Sequence, residues 1–150
     1  MSQETAEAAI RPRKIGKSIA ALVAGFVVNV VLSLGTDVAF HAMGMLPALG
    51  QPMNDLQSAM ACAYRTLYSV ISSYVVARLA PYAPMGHALV DAGIGMLLAT
   101  AGAIATWNQA LGPQWYPLSL IVLALPTGWL GGKIRVMQVR GRTDQQGLRA

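Results

Sequence analysis

Residues Leu56 to Ala77, LQSAMACAYRTLYSVISSYVVA, form an apolar stretch of membrane-crossing length with an arginine, Arg65, near its centre. A hydrocarbon core of about 30 Å takes roughly 20 residues of helix, so this guanidinium falls far from either surface. A full charge at that depth must face protein or water and must have a partner. A chain carrying it cannot be a lone span. It has to fold as several helices with at least one polar face turned inward.

The rest of the sequence supplies those helices. Of 150 residues, 55% are hydrophobic and only 11% charged, far from the balance of a soluble domain. No formally charged side chain lies from Ser18 to Thr36, and none from Ala92 to Gly132, a window longer than two crossings need. The net charge of +5 does not point to nucleic acid. Its basic residues cluster at the termini beside apolar runs, where they act as anchors and orientation signals.

The expected fold is all-α, an antiparallel bundle of four transmembrane helices over residues 15–136, with spans at about 15–43, 55–78, 87–108 and 117–136. Residues 1–14 are expected as a polar cytoplasmic tail, disordered or lying on the surface, and residues 137–150 as a basic cytoplasmic tail. Pro47, Gly50 and Pro52 break the chain after span one, and Asn54 or Asp55 is placed to cap span two. The segment LAPYAPMG is a short turn, making spans two and three antiparallel neighbours. Arg11, Arg13, Lys14, Lys17, Arg78, Lys133, Arg135, Arg140, Arg142 and Arg149 then all fall on one side, which the positive-inside rule makes cytoplasmic. Trp107, Trp115 and Tyr116 mark the outer interface, Tyr82 and Trp129 the inner one. The basic start resembles a signal peptide, but its apolar run is longer than a secretory core and no small-x-small cleavage site precedes Asp37, so it is taken as a retained span.

Helices in lipid approach through small residues. Gly95, Ala99 and Ala103 are the expected contact row of span three, Gly128 and Gly132 that of span four, and Pro126 is expected to kink span four. Span two carries Asp55, Ser58, Cys62, Arg65, Ser69, Ser72 and Ser73 along one face. Span one repeats Ala21, Gly25, Asn29, Ser33, Asp37 and His41 every four residues, a row able to meet it.

Depth selects the partner of Arg65. At 1.5 Å per residue, Arg65 lies about 20 Å out from Arg78 and Asp37 about 30 Å out from Lys17. Helical side chains lean toward their own N-terminus, so these two converge from antiparallel helices. The expected polar site is therefore Asp37 with Arg65, with His41 one turn further out and Ser69 and Ser72 along the same face. A second, inner cluster of Arg78, His87 and Asp91 is expected near the cytoplasmic surface, with Asp91 leaning away from Arg65. Tyr64, Tyr68 and Tyr74 are taken as packing or interface residues.

Several chemistries have no residues to carry them. Cys62 is the single cysteine, so no intramolecular disulfide or dithiol relay can form. His41 and His87 fall at opposite faces, which removes a bis-histidine haem site, and neither has metal-ligand spacing to another His or Cys. No cofactor or metal is expected, no catalytic residue can be named, and enzymatic activity is not expected.

The stretches GTDVAFH, YRTLYSV, ARLAPYAPMGHAL, ATWN and GPQWYP resemble those of uncharacterised small four-span proteins of the bacterial inner membrane. That resemblance implies topology and a multi-pass inner-membrane location, and no activity. Small multidrug transporters share the length, but their first-span glutamate has no counterpart here. Lipid phosphotransferases with a multi-aspartate motif are not matched, since Asp91 stands alone. Two functions remain. The preferred one is a small accessory or self-associating membrane subunit, its partners the lipid bilayer and a second copy or membrane protein, with a closed, dry bundle around the polar row. The alternative is a minimal transporter or permeation path built on the Asp/Arg pair, with a water-accessible cavity at Arg65.

Overall fold

The computed structural model describes the backbone of residues 3–48 and 50–147, and the side chains of residues 14–48 and 50–141. Within them the chain is all-helical: α1 (Gln3–Ala42), α2 (Asp55–Leu79), α3 (Pro84–Thr106) and α4 (Trp115–Gly147). Two helices run past their expected ends. α1 takes in QETAEAA, whose Ala and Glu favour helix, and α4 continues through RVMQVRGR before Gly147. Arg149 lies outside the described residues.

Local chemistry sets the helix ends. After α1 the chain closes through Gly44 at φ +70, whose N–H donates to His41 O at 3.1 Å while Met45 N–H donates to Phe40 O at 2.9 Å. This glycine-closed double bond satisfies carbonyls that the last turn leaves open. α2 starts with a reciprocal cap: Gln57 N–H donates to Asn54 Oδ1 at 2.9 Å, and Asn54 N–H to Gln57 Oε1 at 3.0 Å. Asn54→Ala is expected to lower stability by about 1 kcal/mol and Asn54→Asp to restore it, read from thermal melts of the purified protein. Pro84 opens α3 at a position where its missing N–H costs nothing.

The connections after α1 and after α3 meet at one end of the bundle. Met53 N–H donates to Leu111 O at 2.9 Å, and Trp115 Nε1–H donates to Asp55 Oδ1 at 2.8 Å. The short turn between α2 and α3 is at the other end.

Among the described residues α2 packs against all three other helices, whereas α1 does not pack on α4. The core is made of small side chains, among them Ala21, Ser58, Ala61, Ser72, Ser73, Val76, Ala88 and Ala92. Glycines bring the backbones together where a methyl would not fit. A Cβ on Gly131 would sit 2.6 Å from Val70 O of α2, and one on Gly132 would sit 2.9 Å from Ala88 Cβ of α3. The expected α3 contact row is corrected in part: Ala103 is buried, but a Cβ on Gly95 would meet nothing within 4 Å, and it is Ala88 and Ala92 that meet the glycines of α4. The reason is level along the axis, since Ala88 and Gly95, and Ala92 and Ala99, share one face of α3 at seven-residue spacing, while Gly128 and Gly132 stand opposite its first turns rather than its middle.

The outer surface is apolar, with Val31, Leu34, Val38, Leu97, Ile104 and Val122 all more than half exposed. Lys14–Ala42, Pro84–Thr106 and Trp115–Gly141 are long and apolar enough to cross a membrane, which marks a multi-pass membrane protein. α2 is not among them, because its arginine and serines lower its mean hydropathy. The polar helix is the one the others surround.

Candidate functional site

Arg65 and Asp37 are brought together. Nη2 of Arg65 donates to Asp37 Oδ2 at 2.6 Å, the single ion pair among the described residues. The other carboxylate oxygen accepts from the Tyr64 hydroxyl. Tyr64 thus does more than pack, and a second tyrosine, Tyr68, shares a hydrogen bond of 2.8 Å with Thr36 one residue before Asp37. The phenols escaped the sequence reading because tyrosine in an apolar helix is ordinarily explained by packing. Their signal was the spacing Tyr64, Arg65, Tyr68, which puts two hydroxyls on the side of the charge.

The guanidinium is not sealed. Arg65 keeps 37% of its side chain exposed, against 22% for Asp37, and its Nε has no hydrogen-bond partner. It borders two cavities. One, of about 230 Å³, is polar and is lined by Asn29, Ser33, Arg65, Ser69, Ser72, Ser73, Asp91 and Thr127 with apolar side chains between them. It takes side chains from α1 and from α4, the two helices that do not touch. The other, of about 760 Å³, lies at the end where the two connections meet, with Met53, Trp107, Asn108, Leu111 and Tyr116 on its wall. Neither is enclosed, and Arg65, Ala99 and Leu120 belong to both.

The remaining expected site residues divide. Ser69 donates to the Arg65 carbonyl at 2.9 Å while lining the polar cavity. Ser72 lines it too but donates to Asp91 Oδ2 at 3.2 Å, and Ser73 donates to the same oxygen at 2.9 Å. His41 lies in the last turn of α1 with a buried Nδ1 that has no partner, and it does not join the Asp37–Arg65 pair.

The inner cluster is corrected outright. Asp91 bonds to α2 serines, His87 shares 2.9 Å with Ser18 Oγ and 3.2 Å with the Ala83 carbonyl, and Arg78 is exposed in the last turn of α2. No ion pair links Arg78, His87 and Asp91. The lean of Asp91 along its own helix was outweighed by two hydroxyls offered at its level by the antiparallel α2, and this carries it into the cavity that Arg65 also borders. His87 instead staples α3 to α1 at Ser18.

Compared with protein-family models, curated proteins and solved structures, the chain matches none. The site therefore rests on its own chemistry. It is an arginine and two carboxylates set among hydroxyls, with space on both sides of the guanidinium.

Proposed function

We propose that this protein is a minimal membrane transporter or permeation path, with the Asp37–Arg65 pair as the polar constriction between a polar cavity and an outer vestibule. The observation that carries the reading is that one partly exposed guanidinium borders both cavities. Intramembrane charges kept in contact with space are a mark of ion and solute paths. An accessory or self-associating subunit held by a structural polar row calls for a dry contact at Arg65, and the two cavities weigh against it.

The same proposal makes α2 a fourth span. Its 25 residues reach about 37 Å, enough to cross, and its polar face is covered by the other three helices. Both termini are then cytoplasmic, with the vestibule at the outer end beside Trp107 and Tyr116, and Lys133 at the inner end, its Nζ 4.4 Å from the Trp129 ring. The resemblance to small four-span proteins supports a bacterial inner membrane as the setting.

Proteoliposomes test the path. They are challenged in turn with sodium, potassium, methylammonium, chloride, acetate and glycerol, and uptake is followed by scattering or an ion-sensitive dye. The wild type is expected to admit at least one of these faster than empty liposomes, and Arg65→Ala to fall to the empty level while still reconstituting as folded protein. No acceleration by the wild type, or full flux through Arg65→Ala, would sink the proposal.

A further inference from the structure

Asp91 is a carboxylate that no cation among the described residues answers. The one ion pair among the described residues is Arg65 with Asp37, which itself stands off the cavity wall, so Asp91, the one carboxylate on that wall, has no counter-charge of its own. Ser72 and Ser73 both donate to Oδ2, and Oδ1 accepts from no described residue.

The direction of the hydroxyl protons says more. Ser69 donates to the Arg65 carbonyl at 2.9 Å and Thr127 to the Ala124 carbonyl at 2.8 Å. A hydroxyl has one proton and two lone pairs. Four hydroxyls on one cavity have therefore committed their protons to protein acceptors, and what they can still offer a solute is lone pairs. Arg65, the cation on the same wall, has its charge answered by Asp37 through Nη2, although its Nε–H is left without a partner. The part of the wall around Asp91 is thus rich in acceptors, with no cation of its own among the described residues.

We infer that this cavity binds a small monovalent cation, held by Asp91 and by the lone pairs of Ser72, Ser73 and Thr127. The inference rests on the permeation reading and names its solute class. One unanswered carboxylate balances one positive charge, whereas calcium sites draw on several charged oxygens. Among the described residues no three His, Cys, Asp or Glu side chains come close enough to share a metal, which leaves transition metals without their usual ligands. At about 230 Å³ the cavity has room for an alkali ion with part of its water shell, or for a protonated amine such as methylammonium. Both present the same chemistry to Asp91, a single positive charge seeking oxygen.

Equilibrium binding separates this from transport. Purified full-length protein in detergent is melted in sodium, potassium, ammonium and methylammonium chlorides at equal ionic strength, with bulky N-methylglucamine chloride as reference. A ligand that binds only the folded state raises the midpoint in a saturable way. The expected result is a rise with at least one small cation, its absence in Asp91→Asn, and its persistence in Arg65→Gln. The double variant Ser72→Ala/Ser73→Ala is expected to need about tenfold more cation for half the effect, the equivalent of one hydrogen-bond-sized loss. Response to sodium or potassium alone identifies an alkali-ion site, and response to the ammonium ions alone an amine site. The same midpoint in all five salts overturns the inference, as does an Asp91→Asn variant that responds like the wild type. Should Asp91→Asn not fold, an unchanged response in the serine double variant overturns it as well. Cation binding without flux would sink the path and leave the site standing; flux with no cation response would do the reverse.

Discussion

Asp37→Ala is expected to destabilise the protein by about 3 kcal/mol, at the low end for breaking a buried ion pair because the two side chains retain 22% and 37% exposure. Two losses combine. The Arg65 guanidinium is left without its counter-charge, and the Tyr64 hydroxyl loses its acceptor. Most of the effect is the penalty of the surviving charge, so removing that charge as well should relieve it. The double variant Asp37→Leu/Arg65→Met is therefore expected to be more stable than Asp37→Ala and close to the wild type, since hydrophobic replacement of a buried pair is often near neutral. Denaturation of the purified protein in mixed detergent gives the comparison. A double variant no more stable than Asp37→Ala would mean that the pair is not the unit holding α1 to α2. Flux through the same double variant is expected to be absent even where its stability is restored, which separates a charge kept for passage from one kept for packing.

The pair was legible in the sequence because only two quantities were needed, depth along each helix and the N-terminal lean of helical side chains. Asp91 was not legible by the same rule. Its partners are fixed by the rotation of α2 about its own axis relative to α3, and no spacing within α3 contains that angle. Ser72 and Ser73 were on the polar face, yet serines in apolar helices commonly bond their own backbone, as Ser69 and Ser119 do here. The all-helical fold followed from the charge-free windows. α2 is the instructive helix: its low hydropathy comes from the side chains that make it central, so the most buried helix is the one whose sequence looks least like a span.

Adjacent glycines show how fine the missing angle is. Gly131 and Gly132 are one residue apart, about 100° around α4, and they face different helices. Gly132 meets Met85 and Ala88 of α3, while Gly131 meets the Val70 to Tyr74 turn of α2. A Cβ on Gly131 would stand 2.6 Å from Val70 O, 2.8 Å from Tyr74 N and 2.9 Å from Ser73 Cβ. Two of those three atoms are backbone and cannot rotate aside, so α4 itself must move off α2. Gly131→Ala is expected to cost about 3 kcal/mol, the upper part of the usual range for overpacking, and Gly131→Leu to leave no folded bundle. Gly35→Ala is the control, since its Cβ would meet nothing within 4 Å and should change stability by less than about 1 kcal/mol. The consequence for the site is separable from the loss of stability. Ser73 is the neighbour pushed by the new methyl, and it holds Asp91 Oδ2 at 2.9 Å on one wall while Thr127, one turn before Gly131, forms the facing wall from α4. In the fraction of Gly131→Ala that remains folded, the small-cation rise in melting midpoint should therefore be weakened, whereas Gly35→Ala should retain it in full. Equal destabilisation by the two alanines would show that α4 does not rest on α2 at this glycine.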